Sequence, residues 1–455
     1  MQMRRFETPG IAHYAYLIAD GGKAAVFDPG RFVEPYLDAA QELDAHITHV
    51  VETHRQEDFT MGSAYLAQLT GAQIVNGPFE TFGHGDLRLD DGDCFSLGGL
   101  TIRGLHTPGH TPESMSYVVY PPGNERSAWC VLTGDALFYG TTGRTDLPDE
   151  DKSVQNAALL YDSVHSKLAG LPDTTLVLPA HGPGSVCGSG MAEKPFSTLG
   201  EEKQYNEVFR LSRDEFSRKK GGERLPRPPY FRLMERVNLK GGLSPCQRID
   251  AVPLFEADDF ADKSAGSLVI DAREPEGFAG GHIRGSHSIW LGGLPVFGGW
   301  VADEKSPVYL ITDRTADVRQ AARHLARIGI DQIDGALAGG FGTWRKSGLP
   351  IEMSGTLTPQ TLADNQDRFQ VLDVREADEY AEGHIPGAIH MYVGYLADNL
   401  HKLQLSKERP LVVTCGVGHR AGLGVSILLR AGFREVLNLL GGMSAWKASG
   451  LPVEH

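Results

Sequence analysis

The stretch Thr53-His54-Arg55-Gln56-Glu57-Asp58-Phe59 follows the apolar run Ile47 to Val51. An apolar run of that length reads as a strand that delivers polar side chains into a loop. A two-metal hydrolase grips its water between two ligand sets and would present histidine, histidine, aspartate and histidine here. This chain offers His54, Gln56, Asp58 and Phe59. Gln56 is a poor ligand and Phe59 is none, so the loop is expected to serve a single ion.

The same pattern of strand followed by polar loop recurs outward from this point. Tyr14 to Ile18 and Ala24 to Phe27 read as strands, and His49 to Thr53 as the one that ends at the motif. Thr101 to Leu105 runs into His106-Thr107-Pro108-Gly109-His110-Thr111, Val131 to Thr133 into Gly134-Asp135, and Leu176 to Pro179 into Ala180-His181-Gly182. Four strands thus end on His or Asp, where their loops can converge. Apolar residues at 154, 157, 161, 164 and 168 have helical spacing and predict a covering helix. Strands with interleaved helices imply an α/β layered domain.

Taken together, His54, His110 and Asp135 are two imidazoles and one carboxylate with the rest of the sphere open. That is the facial set associated with non-haem Fe(II) that activates O2, whereas zinc hydrolases use a closed set or two metals. Any one of these residues alone reads equally well as an ordinary loop His or Asp. Three at strand ends, each inside a Gly, Pro or Thr turn, point to a site. Asp58 and His181 are expected to orient the ligands rather than bind, with Gln56 beside them. No function attaches to His13, His46 or His106.

Residues 197–245 open like a capped helix and continue into a basic, Pro-rich piece, Leu225-Pro-Arg-Pro-Pro-Tyr-Phe, ending at Gly241-Gly242. They read as an appendage and linker. The remainder is an internal repeat. Asp271-Ala-Arg273-Glu274 and Gly281-His282-Ile283 recur as Asp373-Val-Arg375-Glu376 and Gly383-His384-Ile385. Gly339-Gly340 through Trp344 recurs as Gly441-Gly442 through Trp446, so one domain is present twice. The expected partition is 1–245, 246–352 and 353–455.

The second copy carries Val412-Val-Thr-Cys415-Gly416-Val417-Gly418-His419-Arg420. A cysteine at a strand end, facing backbone N–H groups at a helix N-terminus, has a stabilised thiolate. Gly416, Val417, Gly418 and His419 would line the substrate-binding loop, and Arg420 closes it with a cation. In the first copy Asp313 stands 102 positions before Cys415, and neither neighbour is cysteine. That copy is expected to be inactive, because a carboxylate cannot take the part of a thiolate.

With 43 basic and 58 acidic side chains, the formal charge of −15 argues against a nucleic-acid or anionic-membrane partner. The five cysteines have no paired spacing, the first residues lack the apolar core of a secretory signal, and no run is long enough to span a bilayer. The expected compartment is the cytoplasm.

Thr53-His54 with Asp58, Thr107-Pro108-Gly109-His110-Thr111 and Thr133-Gly134-Asp135 resemble the metallo-β-lactamase-fold superfamily. Gly143-Arg144-Thr145-Asp146 is similar to the signature of its persulfide dioxygenases, and Ser197-Thr198 with Glu201-Glu202 and Asn206 resembles their C-terminal segment. The loop Cys415 to Arg420, with the repeated motifs, resembles rhodanese. The whole is similar to fused dioxygenase–rhodanese proteins of bacteria. That resemblance implies an αββα sandwich followed by two α/β rhodanese-like domains, and one iron at His54, His110 and Asp135. It also implies Arg144 near an anionic persulfide of glutathione, coenzyme A or another thiol. The implied reaction uses O2 and yields sulfite, with sulfite and thiosulfate handled at Cys415, in a homo-oligomer of hydrogen sulfide metabolism. The chain departs from glutathione-using members at Gly182-Pro183-Gly184-Ser185-Val186-Cys187, where they carry Asp-Tyr. A thioester hydrolase of the glyoxalase II type and a metal-free sulfur-relay scaffold are the rival readings.

Overall fold

The computed structural model describes residues 1–78, 82–124, 127–147 and 149–455. The chain divides into two compact units, Met1–Pro245 and Cys246–His455.

In the first unit each apolar run read as a strand forms one, though the strand before the motif, His46–Val51, stops two residues short of Thr53. One six-stranded sheet runs in the order Gln2–Thr8, His13–Asp20, Lys23–Phe27, His46–Val51, Gln73–Asn76, Leu87–Arg88. The other runs Ser197–Thr198, Leu176–Pro179, Cys130–Gly134, Met115–Tyr120, Leu100–His106, Cys94–Leu97. Side chains alternate across each strand. Tyr16, Ile18, Phe27 and Val51 of one sheet therefore meet Ile102, Tyr117 and Leu132 of the other. The residues between them face outward: Leu17 and Val26 pack on Tyr36 and Ala39 of the helix Glu34–Glu42. On the opposite side Val118 and Val131 pack on Ala157, Leu160, Val164 and Leu168. The layers run helix, sheet, sheet, helix.

The covering helix spans Ser153–Ser163 and continues as a wider π-turn, Val164–Leu168. Its buried stripe uses Leu160 rather than Val154, which is exposed. The end of 197–245 is not a linker. After the helix Phe231–Asn238, the chain turns back, and Leu243 N–H donates to Thr60 Oγ1 at 3.0 Å.

In the second unit two parallel five-stranded sheets share one strand order. The first is Leu254–Phe255, Ile333–Leu337, Val308–Ile311, Leu268–Asp271, His287–Ser288. The second is Gly355–Leu357, Val436–Leu439, Leu411–Thr414, Gln370–Asp373, Ile389–His390. The repeated motifs hold this fold. Arg273 pairs with Asp271 and Arg375 with Asp373, each at 2.6 Å, and each guanidinium also reaches a carbonyl, of Gly281 and Gly383. Trp344 and Trp446 donate their indole N–H groups to the carbonyls of Pro350 and Pro452.

Strand register moves the first-copy comparison by one residue. Asp271 and Asp373 are 102 positions apart, whereas their partners Ile311 and Thr414 are 103 apart. Thr312, not Asp313, therefore takes the place of Cys415. A hydroxyl cannot carry sulfane sulfur either. All five cysteines are free thiols, and among the described residues no helix is long and apolar enough to cross a membrane.

Trp446 is completely buried. Trp446→Ala should cost about 3–5 kcal/mol in the denaturant unfolding transition of the second unit. A loss under about 1 kcal/mol would mean that the repeated tryptophan does not hold this core.

Candidate metal centre and thiolate loop

Four strand ends bring His54, His110, Asp135 and His181 to one place between the sheets, all essentially inaccessible to solvent. The turn before His110 is held by the covering helix. Gly109 has φ +138°, and a Cβ there would lie 2.5 Å from the Leu160 Cα, so only glycine permits the approach. Ser163 also donates its hydroxyl to the Pro108 carbonyl at 2.7 Å.

The orientation of each imidazole follows from what its Nδ1 meets. The Thr53 hydroxyl donates to Asp28 Oδ2 at 2.9 Å, so it accepts the Nδ1–H of His54, also at 2.9 Å. His110 Nδ1–H donates to the Arg144 carbonyl at 2.8 Å. Both Nε2 lone pairs are thereby freed, and neither Nε2 has a hydrogen-bond partner. They converge on Asp135 Oδ2, at 3.8 Å from His54 and 3.4 Å from His110. The other oxygen of Asp135 accepts from His181 Nδ1 at 2.8 Å, and His181 Nε2 lies 3.1 Å from Asp58 Oδ2.

The charges of the cluster are coupled: burial opposes protonation of His110, and Glu57 and Asp135 outweigh it and push its pKa up. Burial pulls His54 down to about 4 against the opposing pull of Asp135, so its imidazole is neutral near pH 7. Burial would raise Asp135, but His181 and His54 hold it well below the usual carboxylate range. His181 is pushed well up: burial opposes this, and Asp135 and Asp58 on either side outweigh it. His181 Nδ1 orients Asp135, while its Nε2 makes no hydrogen bond to Asp58 or to any other group.

Buried amides fix the loops. Asn238 donates to the carbonyls of Gln56 and Phe59 at 2.7 and 2.8 Å and accepts from Met61 N–H at 2.9 Å. Asn206 donates to the carbonyls of Phe138 and Thr141 behind Asp135, and Glu202 accepts from Gly140 N–H at 2.8 Å. Gln56 is fully buried, with Nε2 at 3.5 Å from His54 Nδ1 and Oε1 unpartnered. Phe59 fills the place of an imidazole, its ring centroid 4.0 Å from that of His13 with the planes tilted by 40°.

Arg144 is buried, and all five of its side-chain N–H groups have acceptors. Two go to Asp146 at 2.6 and 2.7 Å, and the rest to the carbonyls of Val186, Leu225 and Pro226. No donor is left over for an anion. Glu57 and Cys187, given no role from the sequence, also lie here. His54, Glu57 and His110 present ligand atoms within 4.8 Å of one another, as do Asp58, His181 and Cys187. The one signal for them was proximity to the motif, in sequence for Glu57 and through His181 for Cys187.

In the second unit Cys415 is buried at the end of Leu411–Thr414, before the helix His419–Arg430. Gly418 N–H donates to Cys415 Sγ at 3.1 Å, from a φ of +114° that favours glycine. Arg420 makes a fork to Glu379 at 2.5 and 2.8 Å, with one nitrogen close to Gly416. Val417 is exposed at the loop tip, and His419 contacts Glu274 at 3.0 Å.

Residues 8–181 match the metallo-beta-lactamase superfamily, and 256–347 and 358–449 each match the rhodanese-like domain. The mitochondrial persulfide dioxygenase ETHE1 of Homo sapiens is 30% identical over 245 residues, covering 53% of this chain and 89% of that protein. The chain belongs to the metallo-β-lactamase superfamily. Two rhodanese-like domains extend this superfamily member at its C-terminal side. Hydroxyacylglutathione hydrolase GloC of Haemophilus influenzae is 27% identical over 208 residues, 41% of this chain and 87% of that one. A crystal structure of a metallo-beta-lactamase from Staphylococcus aureus subsp. aureus COL is 29% identical, with a TM-score of 0.66 over 74% of this chain and 99% of that one.

Asn238→Ala should unhook the motif loop. Expected are a loss of about 2–4 kcal/mol in stability from three buried hydrogen bonds and metal affinity about 10–100-fold weaker by chelator competition. Unchanged affinity would show that the loop holds its shape without the amide.

Proposed function

We propose that the first unit is a mononuclear iron(II) persulfide dioxygenase and that Cys415 carries out sulfurtransfer in the same chain. The observation that carries this reading is the convergence of His54 Nε2, His110 Nε2 and Asp135 Oδ2, buried and 3.4–3.8 Å apart where paired. Metal bonds of about 2.0–2.2 Å set neighbouring donors about 3–4 Å apart, so the residues fit an ion. Iron(II) held there would supply the activation of O2 toward sulfane sulfur. The proposed balance is RSSH + O2 + H2O → RSH + H2SO3.

The protein's own contribution is orientation and exclusion of water. Thr53 and the Arg144 carbonyl aim the imidazoles, His181 aims Asp135, and the hydrocarbon rings of Phe59 and Phe138 close the site, both fully buried. Arg144 is fully occupied by Asp146 and three carbonyls, so an anionic carrier such as glutathione or coenzyme A must be recognised by other groups. At Cys415 the thiolate attacks the outer sulfur of thiosulfate, forming Cys–S–S⁻ and releasing sulfite; the reverse step consumes sulfite. Gly418 N–H faces the sulfur that reacts. The proposed partition remains 1–245, 246–352 and 353–455, in a cytoplasmic homo-oligomer whose first rhodanese copy is inactive.

A two-metal thioester hydrolase is the second reading, favoured by the Asp58, His181 and Cys187 cluster. Metal analysis and an oxygen electrode separate the two. The purified protein should hold one iron per chain and consume O2 with a low-molecular-weight persulfide. His54→Ala or Asp135→Ala should abolish that uptake, and Cys415→Ser should leave it intact while removing thiosulfate sulfurtransfer. Two zinc ions with thioester hydrolysis would replace this reading by the second.

A further inference from the structure

Glu57 is, with Asp58, a buried acid outside the three-residue set, and it is the one that shares ligand distance with His54 and His110. Its side chain is inaccessible to solvent, and neither carboxylate oxygen has a hydrogen-bond partner. A buried carboxylate without donors is strongly disfavoured unless a cation completes it. Its two nearest positive or polar groups are His110 Nε2 at 3.6 Å and Arg55 Nη2 at 3.7 Å, both beyond hydrogen-bond distance. Arg55 is shared, with its Nε 3.9 Å from Glu113 Oε1. It balances charge at a distance and leaves the lone pairs of Glu57 unmet.

We infer that Glu57 is a fourth protein ligand of the ion held by His54, His110 and Asp135, an inference that rests on the reading of this site as an iron centre. Its placement is built, not incidental. Glu57 lies between Gln56 and Phe59, the two carbonyls that Asn238 grips, and the neighbouring Arg55 N–H donates to Glu113 at 3.2 Å. The backbone on both sides of Glu57 is therefore anchored. The carboxylate meets His54 and His110 as a ligand would, all within 4.8 Å.

Charge balance points the same way. Two neutral imidazoles and one carboxylate leave a divalent ion with one uncompensated positive charge in a dry site. A second carboxylate makes the centre neutral, which lowers the cost of burying it. His54, His110, Asp135 and Glu57 would hold the ion and leave the rest of its sphere to substrate. The site would then be a two-histidine, two-carboxylate centre, distinct from a bare facial triad.

The test uses the full-length protein, stripped of metal and titrated with Co(II), whose visible absorption reports coordination number. Wild type should bind one Co(II) with the weak bands of a high-coordinate ion. Glu57→Gln should bind about 10–100-fold more weakly by chelator competition, with intensified bands from a lost donor. The metal-free variant should keep the circular dichroism spectrum of metal-free wild type, so weak binding would not reflect misfolding. Should Glu57→Gln fail to fold, Glu57→Asp, one methylene shorter, should shift the same bands. Wild-type affinity and bands in the Glu57 variants would overturn the inference while the iron reading stood. Wild type binding no ion, or two, would overturn both.

Discussion

Each imidazole at the centre of the first unit has two nitrogens, and the fold satisfies only one of them. Thr53 Oγ1 takes the Nδ1–H of His54 and the Arg144 carbonyl takes that of His110. The two Nε2 lone pairs are left facing a carboxylate in a site with no water access. Buried acceptors without donors are tolerated where a cation completes them. The arrangement of the surrounding loops serves that constraint. Asp28 holds Thr53, the covering helix presses on Gly109, His181 aligns Asp135, and two asparagines pin the loops on either side.

The difference from a two-metal hydrolase lies in the second half of the cluster. Phe59 removes one imidazole from the usual reach of a second ion. His181 gives its Nδ1 to Asp135, and its Nε2 lies 3.1 Å from Asp58 without a hydrogen bond. Cys187 stands nearby, but burial first and the surrounding carboxylates next push its thiol well up, which disfavours the thiolate that a metal ligand must be. In the second unit Cys415 Sγ accepts from Gly418 N–H, and sulfane-sulfur chemistry in both units is what the proposed function would join.

Much of this was legible in the sequence, because strand period and loop composition are local signals. The strands, the convergence of His54, His110, Asp135 and His181, the repeat and the Cys415 loop all follow from residues within a few positions of one another. What was not legible depends on contacts across long separations. Asn238 lies far along the chain from the loop it grips, inside a Pro-rich segment that looks like a linker. Glu57 occupies a spacer position of the motif, and only the backbone path turns its carboxylate inward. Arg144 carries a charge suited to an anion, yet Asp146 and three carbonyls occupy every N–H. The Thr312 correspondence needed strand register, since the repeat offset changes between neighbouring strands.

The central claim is that one iron sits between His54, His110 and Asp135. Anomalous diffraction from crystals of anaerobically purified protein, collected at the iron and zinc absorption edges, reads it directly. A single peak at the iron edge, in contact with those three side chains, is the predicted result. A peak at the zinc edge alone, or a second peak between Asp58 and His181, would contradict it.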